Sequence, residues 1–323
     1  MGAKPKNISG SRAASICNLD KFKSCVDTWL EIEEELKPGF CEKNGYEKPV
    51  RQDNPFLSWG LAFEDPICEK IHELTGYLVC DREKEFNAHA LYGIDPDIAT
   101  CHIDGALDGD EHAILDENKT TSIWAFRDEY GDDDSDVIPI NYSIQVQHNM
   151  MLTGCVECWL FVLIFPVVQT ELDELVKLSE VDKKKWVDVL AEMGLFKRFV
   201  IDVNRDIQYM LKDRYREFWK DNVLAEVPPE PVSMDDLKKL LPRKFGECIA
   251  PPEVMHMVNT YRDMTAEEGR VKPIKEDLRV KILDYMRESA TPADNKNLRL
   301  LSESGRVVAT YSKGRFTVRK MKP

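Results

Sequence analysis

The feature that most constrains the fold is an uninterrupted apolar segment near the middle of the chain, Cys158 to Val168, with the sequence CWLFVLIFPVV. It is too short to span a bilayer, because a transmembrane helix needs about 20 apolar residues. Its length and its β-branched and aromatic residues instead indicate a buried strand. We therefore expect a sheet that holds this strand in its interior.

Helices and further strands are predicted on both sides of this segment. The spacing of apolar residues predicts helices over Ser11–Leu36, Trp59–Leu74, Asn141–Thr153 and Asp206–Leu224. Shorter segments with turn residues between them predict strands over Tyr77–Cys80, Ala99–Leu107, His112–Lys119 and Phe199–Val203. In the second helix, Leu61, Ile67, Ile71 and Leu74 are expected to share the inward face. Glu64 would lie near that face, where a carboxylate is costly unless it is paired or bound to metal.

The chain has 323 residues, more than one average domain, and a proline-rich linker runs from Val227 to Pro231. We place a boundary there, which predicts a core over residues 1–226 and a C-terminal helical extension over residues 227–323. The extension ends in a basic segment with a predicted β-hairpin, Val307–Tyr311 and Phe316–Val318. Its Lys and Arg side chains either contact a DNA backbone or protect an edge strand, and the sequence favours neither.

Composition indicates a soluble protein of a reducing compartment. Charged residues make up 32% of the chain and the formal net charge is −14. This acidic balance argues against a protein coated by nucleic acid, but it allows an enzyme with one local basic channel. No apolar signal segment follows the N-terminus, and no membrane partner is expected. The nine scattered cysteines are typical of reduced thiols in a cytosol.

Three residues form the candidate chemical site. Glu117 and Lys119 are separated by one residue on a predicted strand, so both point to the same side of the sheet. Asp104 ends the preceding strand, and a short hairpin would bring it beside them. Two carboxylates and an ammonium would then meet at one sheet edge. Such a set of residues is most often a solvated strand edge. The motifs that surround it must therefore distinguish a catalytic site from such an edge.

Phosphodiester hydrolysis needs this combination of groups. Hard oxygen ligands hold Mg²⁺, which takes only one or two protein carboxylates and keeps several waters. The metal polarises a phosphoryl oxygen and lowers the pKa of the attacking water, and a nearby lysine orients that water. The candidate ligands are Asp104, Glu117 and the backbone carbonyl of Asn118, with Glu64 as a further carboxylate. One or two Mg²⁺ ions are expected, for which Mn²⁺ substitutes.

Five motifs in order surround these residues and are similar to those of a known family. They are Ile8–Ala14 (ISGSRAA), Ser58–Glu64 (SWGLAFE), His102–Gly105 (HIDG), Ile114–Thr120 (ILDENKT) and Pro139–His148 (PINYSIQVQH). In their order and spacing, the chain resembles the YqaJ-type viral recombinase, or lambda exonuclease, family of the PD-(D/E)xK nuclease superfamily. The resemblance covers roughly residues 7–219.

The resemblance implies an α/β fold of the restriction-endonuclease type, with three layers and a central mixed β-sheet flanked by helices. It implies Asp104 and Glu117 as metal ligands, Lys119 as the residue that activates water, and Glu64, Tyr142 and Gln145 as further residues of the site. The implied activity is Mg²⁺-dependent digestion of linear double-stranded DNA from a 5′ end in phage or prophage recombination. A single-strand annealing protein as partner, a homotrimer and the cytoplasm of a bacterial host follow from the same resemblance.

Several alternatives stay open. Asp116 precedes Glu117, so the strand register could shift by one residue, although the Glu-x-Lys spacing favours Glu117. For a DNA 5′-phosphate, Arg12 competes with Lys4 and Lys6, and Ser11 could donate a hydrogen bond. A RecB-like or single-strand nuclease is an alternative function, as is a non-catalytic DNA-binding scaffold. The presence of Asp104, Glu117 and Lys119 together argues against the scaffold.

Overall fold

The computed structural model describes residues 7–49, 55–82, 84–87, 98–108, 114–130, 137–166, 174–240, 251–289, 298–301, 307–312 and 315–318. The chain divides into two compact units, Met1–Lys244 and Phe245–Pro323. The first unit contains the predicted site. Within the described ranges, no helix is both long enough and apolar enough to cross a membrane.

A five-stranded mixed sheet forms the centre of the first unit. Its strands, numbered together with a separate two-stranded pair β2 and β3, are β1 (Leu78–Cys80), β2 (Glu85–Asn87), β3 (Thr100–His102), β4 (Gly105–Asp108), β5 (Ile114–Ser122), β6 (Glu157–Phe165) and β7 (Phe196–Asp202). The order in the sheet is β1-β4-β5-β6-β7, in which β5 and β6 are parallel and the other neighbours antiparallel. The predicted central mixed sheet is therefore confirmed.

The described part of this unit also contains nine helices. They are α1 (Gly10–Ile16), α2 (Cys25–Leu36), α3 (Phe40–Asn44), α4 (Pro55–Thr75), α5 (Ile123–Glu129), α6 (Ile140–Thr153), α7 (Glu180–Glu192), α8 (Arg205–Phe218) and α9 (Met234–Leu240). A π-helical turn, Trp219–Val223, continues α8.

Strand β6 shows why helices must cover both faces of the sheet. Its side chains are buried almost without exception, and they alternate between two apolar clusters. Leu160 and Val162 pack with residues of α5, and Phe161 and Leu163 pack with residues of α4 and α7. Burial of each such side chain contributes about 1.5–3 kcal/mol. The three-layer architecture follows, and the prediction of a buried strand is confirmed.

Helix α4 uses a different face from the one that the sequence predicts. Trp59, Phe63, Ile67 and Ile71, spaced by four residues, are buried against the sheet and α7. Leu61 and Leu74 are 69% and 61% exposed, so the predicted inward face is wrong at both positions. Side chains four residues apart form one row along a helix, and here the row with two aromatic residues is the one that packs.

The helix predicted over Ser11–Leu36 is two helices, α1 and α2. Asn18 has a positive φ of 54°, which interrupts helical geometry between them. Ser24 begins α2 through a capping box, in which its side chain accepts from the Asp27 amide and the Asp27 carboxylate accepts from the Ser24 amide. Local side-chain chemistry therefore divides a segment whose apolar spacing is continuous.

Residues beyond the proline-rich linker still belong to the first unit. The Ser24 hydroxyl donates to Asp236 of α9 at 2.5 Å, and Lys239 forms an ion pair with Asp27 at 2.7 Å. The Glu47 amide also donates to the Lys239 carbonyl at 3.0 Å. The predicted boundary after residue 226 therefore lies inside the first unit, which extends to Lys244.

The second unit contains a long helix and a small sheet. Helix α10 spans Pro252–Ser289, and strands β8 (Leu298–Leu301), β9 (Val307–Ser312) and β10 (Arg315–Val318) form an antiparallel sheet in the order β10-β9-β8. The predicted terminal hairpin is confirmed by the pairing of β9 with β10. Most basic residues of this C-terminal segment lie outside the described part of the chain. Whether they contact DNA or protect an edge strand therefore stays open.

Candidate active site

Strand β5 carries Glu117 and Lys119 to the face of the sheet that α6 covers. The Lys119 ammonium contacts Oε1 of Glu117, as the period-two alternation of the strand predicts. Glu117 is only 2% exposed, so its carboxylate lies at the bottom of the site rather than at a solvated edge. Because Glu117 is buried, the motif is not a solvent-exposed strand edge.

Helix α6 supplies two amide groups to the same carboxylate. Gln145 Nε2 donates to Oε1 of Glu117 at 2.6 Å, and Asn149 Nδ2 donates to Oε2 at 3.0 Å. The two side chains are four residues apart, so they lie one above the other on one helix face. Gln145 was predicted in the site, whereas Asn149 was missed. Its spacing from Gln145 is the signal that could have identified it.

Asp104 reaches β5 from the adjacent strand edge. The ladder between β4 and β5 ends where Gly105 pairs with Asp116, so the amide of Asn118 lies beyond it. Oδ2 of Asp104 accepts from that amide at 2.8 Å. A side chain at Gly105 would collide with Val79 Cγ1 of β1, so glycine permits the close approach of the strands there. The structure thus brings Asp104 beside Glu117, as predicted.

The oxygen donors at this point fit a hard divalent cation. Within an extended strand the N–H and C=O of one residue point to the same edge, so the Asn118 carbonyl faces the edge where Asp104 lies. Two carboxylates and one carbonyl match the ligands that Mg²⁺ takes from proteins. In the described ranges no three His, Cys, Asp or Glu side chains form a metal-binding group, so a third carboxylate ligand is not present there.

The charges of the site support the same reading. Burial, together with the negative charge of Asp104, raises the pKa of Glu117 to about 7, although Lys119 acts in the opposite direction. The charge of Asp104 disfavours ionisation of Glu117, and a cation bound between the two groups would offset this repulsion. Burial acts to lower the pKa of Lys119, but the charges of Glu117 and Asp104 outweigh it and raise that pKa. Lys119 is therefore an ammonium, a hydrogen-bond donor rather than a base.

Tyr142 covers the lysine. The Lys119 Nζ lies 5.3 Å from the centre of the Tyr142 ring, close enough for a cation–π interaction. Burial raises the pKa of Tyr142, so its hydroxyl stays neutral. The predicted neighbourhood of Lys119, Tyr142 and Gln145 is therefore present in the structure.

The register of β5 separates Asp116 from the site. Asp116 points to the opposite face, where its Oδ2 accepts from Asn118 Nδ2 at 2.6 Å. Burial raises the pKa of Asp116 to about 8, and the charges of Asp104 and Glu117 add to this effect. The structure thus places Glu117, and not Asp116, beside Lys119, which is the register that the Glu-x-Lys spacing favours.

Glu64 is not brought to this group. Its Oε1 forms an ion pair with Arg82 at 3.1 Å, and Arg82 also binds Asp65 at 2.6 Å. In the described ranges, Glu64 does not form a metal-binding group with Asp104 and Glu117. A role of Glu64 as metal ligand is therefore not supported by this geometry.

The residues considered for a 5′-phosphate lie on or before α1. Arg12 has a side chain only 5% exposed, which pairs with Glu35 at 2.7 Å and donates to the Asn7 carbonyl at 2.9 Å. It would have to leave these partners to bind a phosphate. Ser11 is exposed, with its hydroxyl 3.1 Å from that of Ser9. Lys4 and Lys6 lie outside the described residues, so the assignment stays a prediction.

The fold and the site together define a class of protein. It is an α/β protein in which an Asp…Glu-x-Lys set, whose glutamate and lysine are on the central strand of a mixed sheet, lies under a helix that carries a glutamine. Residues 1–156 match the family model described as the YqaJ-like viral recombinase domain. This is the family that the motifs predicted, and its model matches just under half of the chain. The matched range includes Asp104, Glu117, Lys119, Gln145 and Asn149.

Solved structures with a similar chain course include two exonucleases. The alkaline exonuclease from Laribacter hongkongensis is 15% identical, with a TM-score of 0.46, over 69% of this chain and 90% of that one. The same exonuclease in complex with dAMP gives a TM-score of 0.47. A phage-related exonuclease from Haemophilus somnus 129PT is 15% identical, with a TM-score of 0.46, over 68% of this chain and 96% of that one. None of the curated proteins matches this chain.

Proposed function

We propose that this protein is a Mg²⁺-dependent exonuclease that digests linear double-stranded DNA in the 5′→3′ direction during phage-type recombination. The observation that carries the proposal is the buried Glu117 carboxylate, held by three donors beside Asp104 and Lys119. The match of residues 1–156 to the viral recombinase domain model supports the setting in recombination. Digestion of duplex ends and its polarity rest on the motif resemblance.

In this proposal each residue has a defined task. Asp104, Glu117 and the Asn118 carbonyl would hold the cation, which when bound would polarise the scissile phosphoryl group and acidify a water molecule. The Lys119 ammonium donates a hydrogen bond to the attacking water or to a phosphoryl oxygen as negative charge develops there. Gln145 holds Oε1 of Glu117, and Tyr142 limits the positions that the lysine can take.

The deciding experiment uses purified protein with DNA substrates that differ only in their ends. Linear duplexes labelled at the 5′ or the 3′ end, with and without a 5′-phosphate, are compared with covalently closed circles and single strands in Mg²⁺, Mn²⁺ or EDTA. We expect Mg²⁺-dependent release of 5′-terminal nucleotides from linear duplexes, with Mn²⁺ substituting. Cleavage of closed circles, or digestion in EDTA, would contradict the proposal.

The same substrates separate the alternative functions. A preference for single strands would favour a RecB-like or single-strand nuclease. Binding without hydrolysis in every metal would indicate a scaffold. The Lys119→Ala variant is the control for contaminating nucleases, and activity that survives it would show that the site is wrongly assigned.

We also propose, from the family resemblance alone, that the protein forms a homotrimer on DNA ends and cooperates with a single-strand annealing protein. Light scattering coupled to size exclusion measures the first directly. A monomer at micromolar concentration, with and without a DNA duplex, would contradict it.

A further inference from the structure

The two oxygens of the Glu117 carboxylate have unequal hydrogen bonds. Oε1 receives two donors, Lys119 and Gln145, whereas among the described residues Oε2 receives one, Asn149. An ionised carboxylate offers about two lone-pair positions on each oxygen. Oε1 is therefore saturated by the protein, and Oε2 keeps one free position. Asn149 fixes the direction in which that free position points.

Asn149 makes this contact at a cost to its own hydrogen bonding. The side chain is 3% exposed, and its Oδ1 has no hydrogen-bond partner in the described part of the chain. A buried acceptor without a partner is rare in folded proteins and often marks a functional constraint. An apolar side chain of the same size would avoid this cost, so fold stability alone does not explain an asparagine here.

The orientation of the amide follows from the charge of Glu117. If the amide were reversed, Oδ1 would face the carboxylate and the two oxygens would repel each other. With Nδ2 toward Glu117, Oδ1 points to α1, where a Cβ on Gly10 would lie only 2.8 Å from it. Glycine at this position therefore leaves the room that the amide needs, and the unpaired oxygen is the consequence of directing the donor to Oε2.

We propose that Asn149 is a positioning residue that orients Oε2 of Glu117 as the oxygen that ligates the catalytic cation. The inference rests on the proposed function, since it assigns a task within the same site. Partners of metal ligands typically change metal affinity or activity by about 10–100-fold when they are removed. Asn149 belongs to this group of residues, because it contacts the ligand and not the reacting atoms.

Gln147 provides a matched control on the same helix. It is also a buried amide, but its Nε2 donates to the Asp202 carbonyl at 2.8 Å and its Oε1 accepts from the Asn204 amide at 2.8 Å. Both bonds anchor the turn between β7 and α8. Replacement of Gln147 by leucine removes a structural amide, and replacement of Asn149 by leucine removes the donor to Glu117.

The test measures Mn²⁺ binding by electron paramagnetic resonance in the absence of DNA, together with thermal unfolding in EDTA. For Asn149→Leu we expect a dissociation constant about 10–100-fold higher than wild type and a Tm that is unchanged or higher. For Gln147→Leu we expect a lower Tm and a dissociation constant within about twofold of wild type, because its bonds lie outside the metal site. Should Asn149→Leu not fold, Asn149→Ala removes the same donor, and the same increase is expected.

Wild-type Mn²⁺ affinity in folded Asn149→Leu or Asn149→Ala would overturn the inference and leave the proposed function intact. A wild-type protein that binds no Mn²⁺ and digests no DNA would overturn the proposed function itself. The two failures are thereby distinguished by the wild-type measurement alone.

Discussion

Adjacent acidic residues on β5 have opposite environments. Glu117 faces the donors of α6, whereas Asp116 is buried on the other side of the sheet with Asn118 as its hydrogen-bond partner. Alternation along a strand produces this difference without any change of residue chemistry. A one-residue shift of register would exchange the two carboxylates and disassemble the site.

This difference predicts unequal effects of two neutral substitutions. Glu117→Gln removes a proposed metal ligand. We therefore expect a loss of nuclease activity greater than the ~100-fold that is typical when a residue that only contacts a metal ligand is removed. Asp116→Asn keeps an acceptor for Asn118, and we expect it to retain activity within about tenfold of wild type. End-release assays under identical Mg²⁺ concentrations measure both. An inactive Asp116→Asn that folds normally would argue for the shifted register.

The protonation state of His148 is set by its two partners. Its Nε2 lies 2.9 Å from the Thr100 carbonyl, which can only accept, so Nε2 carries the proton and Nδ1 accepts from the Tyr215 hydroxyl at 2.8 Å. Burial lowers the pKa of His148 to about 4. Since the unfolded chain binds its proton near pH 6.5, this histidine contributes stability above that pH, which is lost as the pH falls toward 4.

We therefore expect the His148 ring to stay neutral down to about pH 5. Nuclear magnetic resonance of the histidine ring, with His148→Gln to assign the signal, measures this directly. A His148 resonance that titrates near pH 6.5 in the folded protein would show that the ring is not held in this way.

The residues of the site differ in how far sequence predicted them. Asp104, Glu117, Lys119, Tyr142 and Gln145 could be placed together because strand alternation and motif order are local properties. Asn149 was missed, because its spacing from Gln145 places it on the same helix face but does not show that its amide contacts a carboxylate 32 residues away. Glu64 was expected at the site, but it forms an ion pair with Arg82, which lies in the loop after β1. The spacing of apolar residues in a helix does not predict the path of such a loop.

At the scale of elements, the contact between α1 and α6 sets the position of the donors. A Cβ on Gly10 would lie 2.8 Å from Asn149 Oδ1 and 3.2 Å from Gln145 Cγ. The two helices therefore approach each other as closely as a residue without a side chain allows. Any displacement of α1 also displaces the groups that hold Glu117.

Two glycine substitutions should have opposite effects on stability. Gly10→Ala gains some helix propensity, but the close contacts outweigh it, and we expect a loss of about 1–3 kcal/mol in the free energy of unfolding. Gly60→Ala lies within α4, where the nearest atom to the new Cβ is Thr120 Oγ1 at 4.0 Å. There we expect a gain of about 0.5–1 kcal/mol. Urea denaturation measures both, and a stabilised Gly10→Ala would contradict the packing argument.

Sequence predicted the type of most elements but not which faces pack. The apolar run of β6 predicted a central strand, because a strand that is buried on both faces has apolar residues at successive positions. For α4, two equivalent rows of apolar residues were available, and only the packing against α7 selected the row of Trp59 and Phe63 over Leu61 and Leu74. Selection between such rows is a tertiary effect that the spacing of apolar residues does not encode.

At the scale of the whole molecule, the extent of the first unit is determined by α9. Asp236 and Lys239 of α9 bind residues of α2 or its N-cap, although both follow the proline-rich linker. The sequence predicted a domain boundary at that linker. Prolines mark irregular backbone, and here that backbone remains packed within one unit. The composition of a linker therefore does not show where a compact unit ends.

Two truncated chains test this extent. A chain of residues 1–244 keeps α9, and we expect cooperative unfolding with nuclease activity retained. A chain of residues 1–226 loses the bonds of α9 to α2 and to the Glu47 amide, and we expect it to be less stable by at least ~2 kcal/mol. Chemical denaturation of both chains provides the comparison. Equal stability would show that α9 adds nothing to the first unit.

The parallel pairing of β5 with β6 has a consequence for the order of folding. A parallel pair needs a crossover, and here the crossover contains α6, so Glu117, Lys119, Gln145 and Asn149 all lie within one strand–helix–strand segment. Contacts close in sequence form faster than distant ones. Asp104 is only 14 residues from Asn118, whereas Gln145 and Asn149 are 28 and 32 residues from Glu117. Asp104 should therefore join β5 early, and the hydrogen bonds from α6 to Glu117 should form later, when the crossover closes.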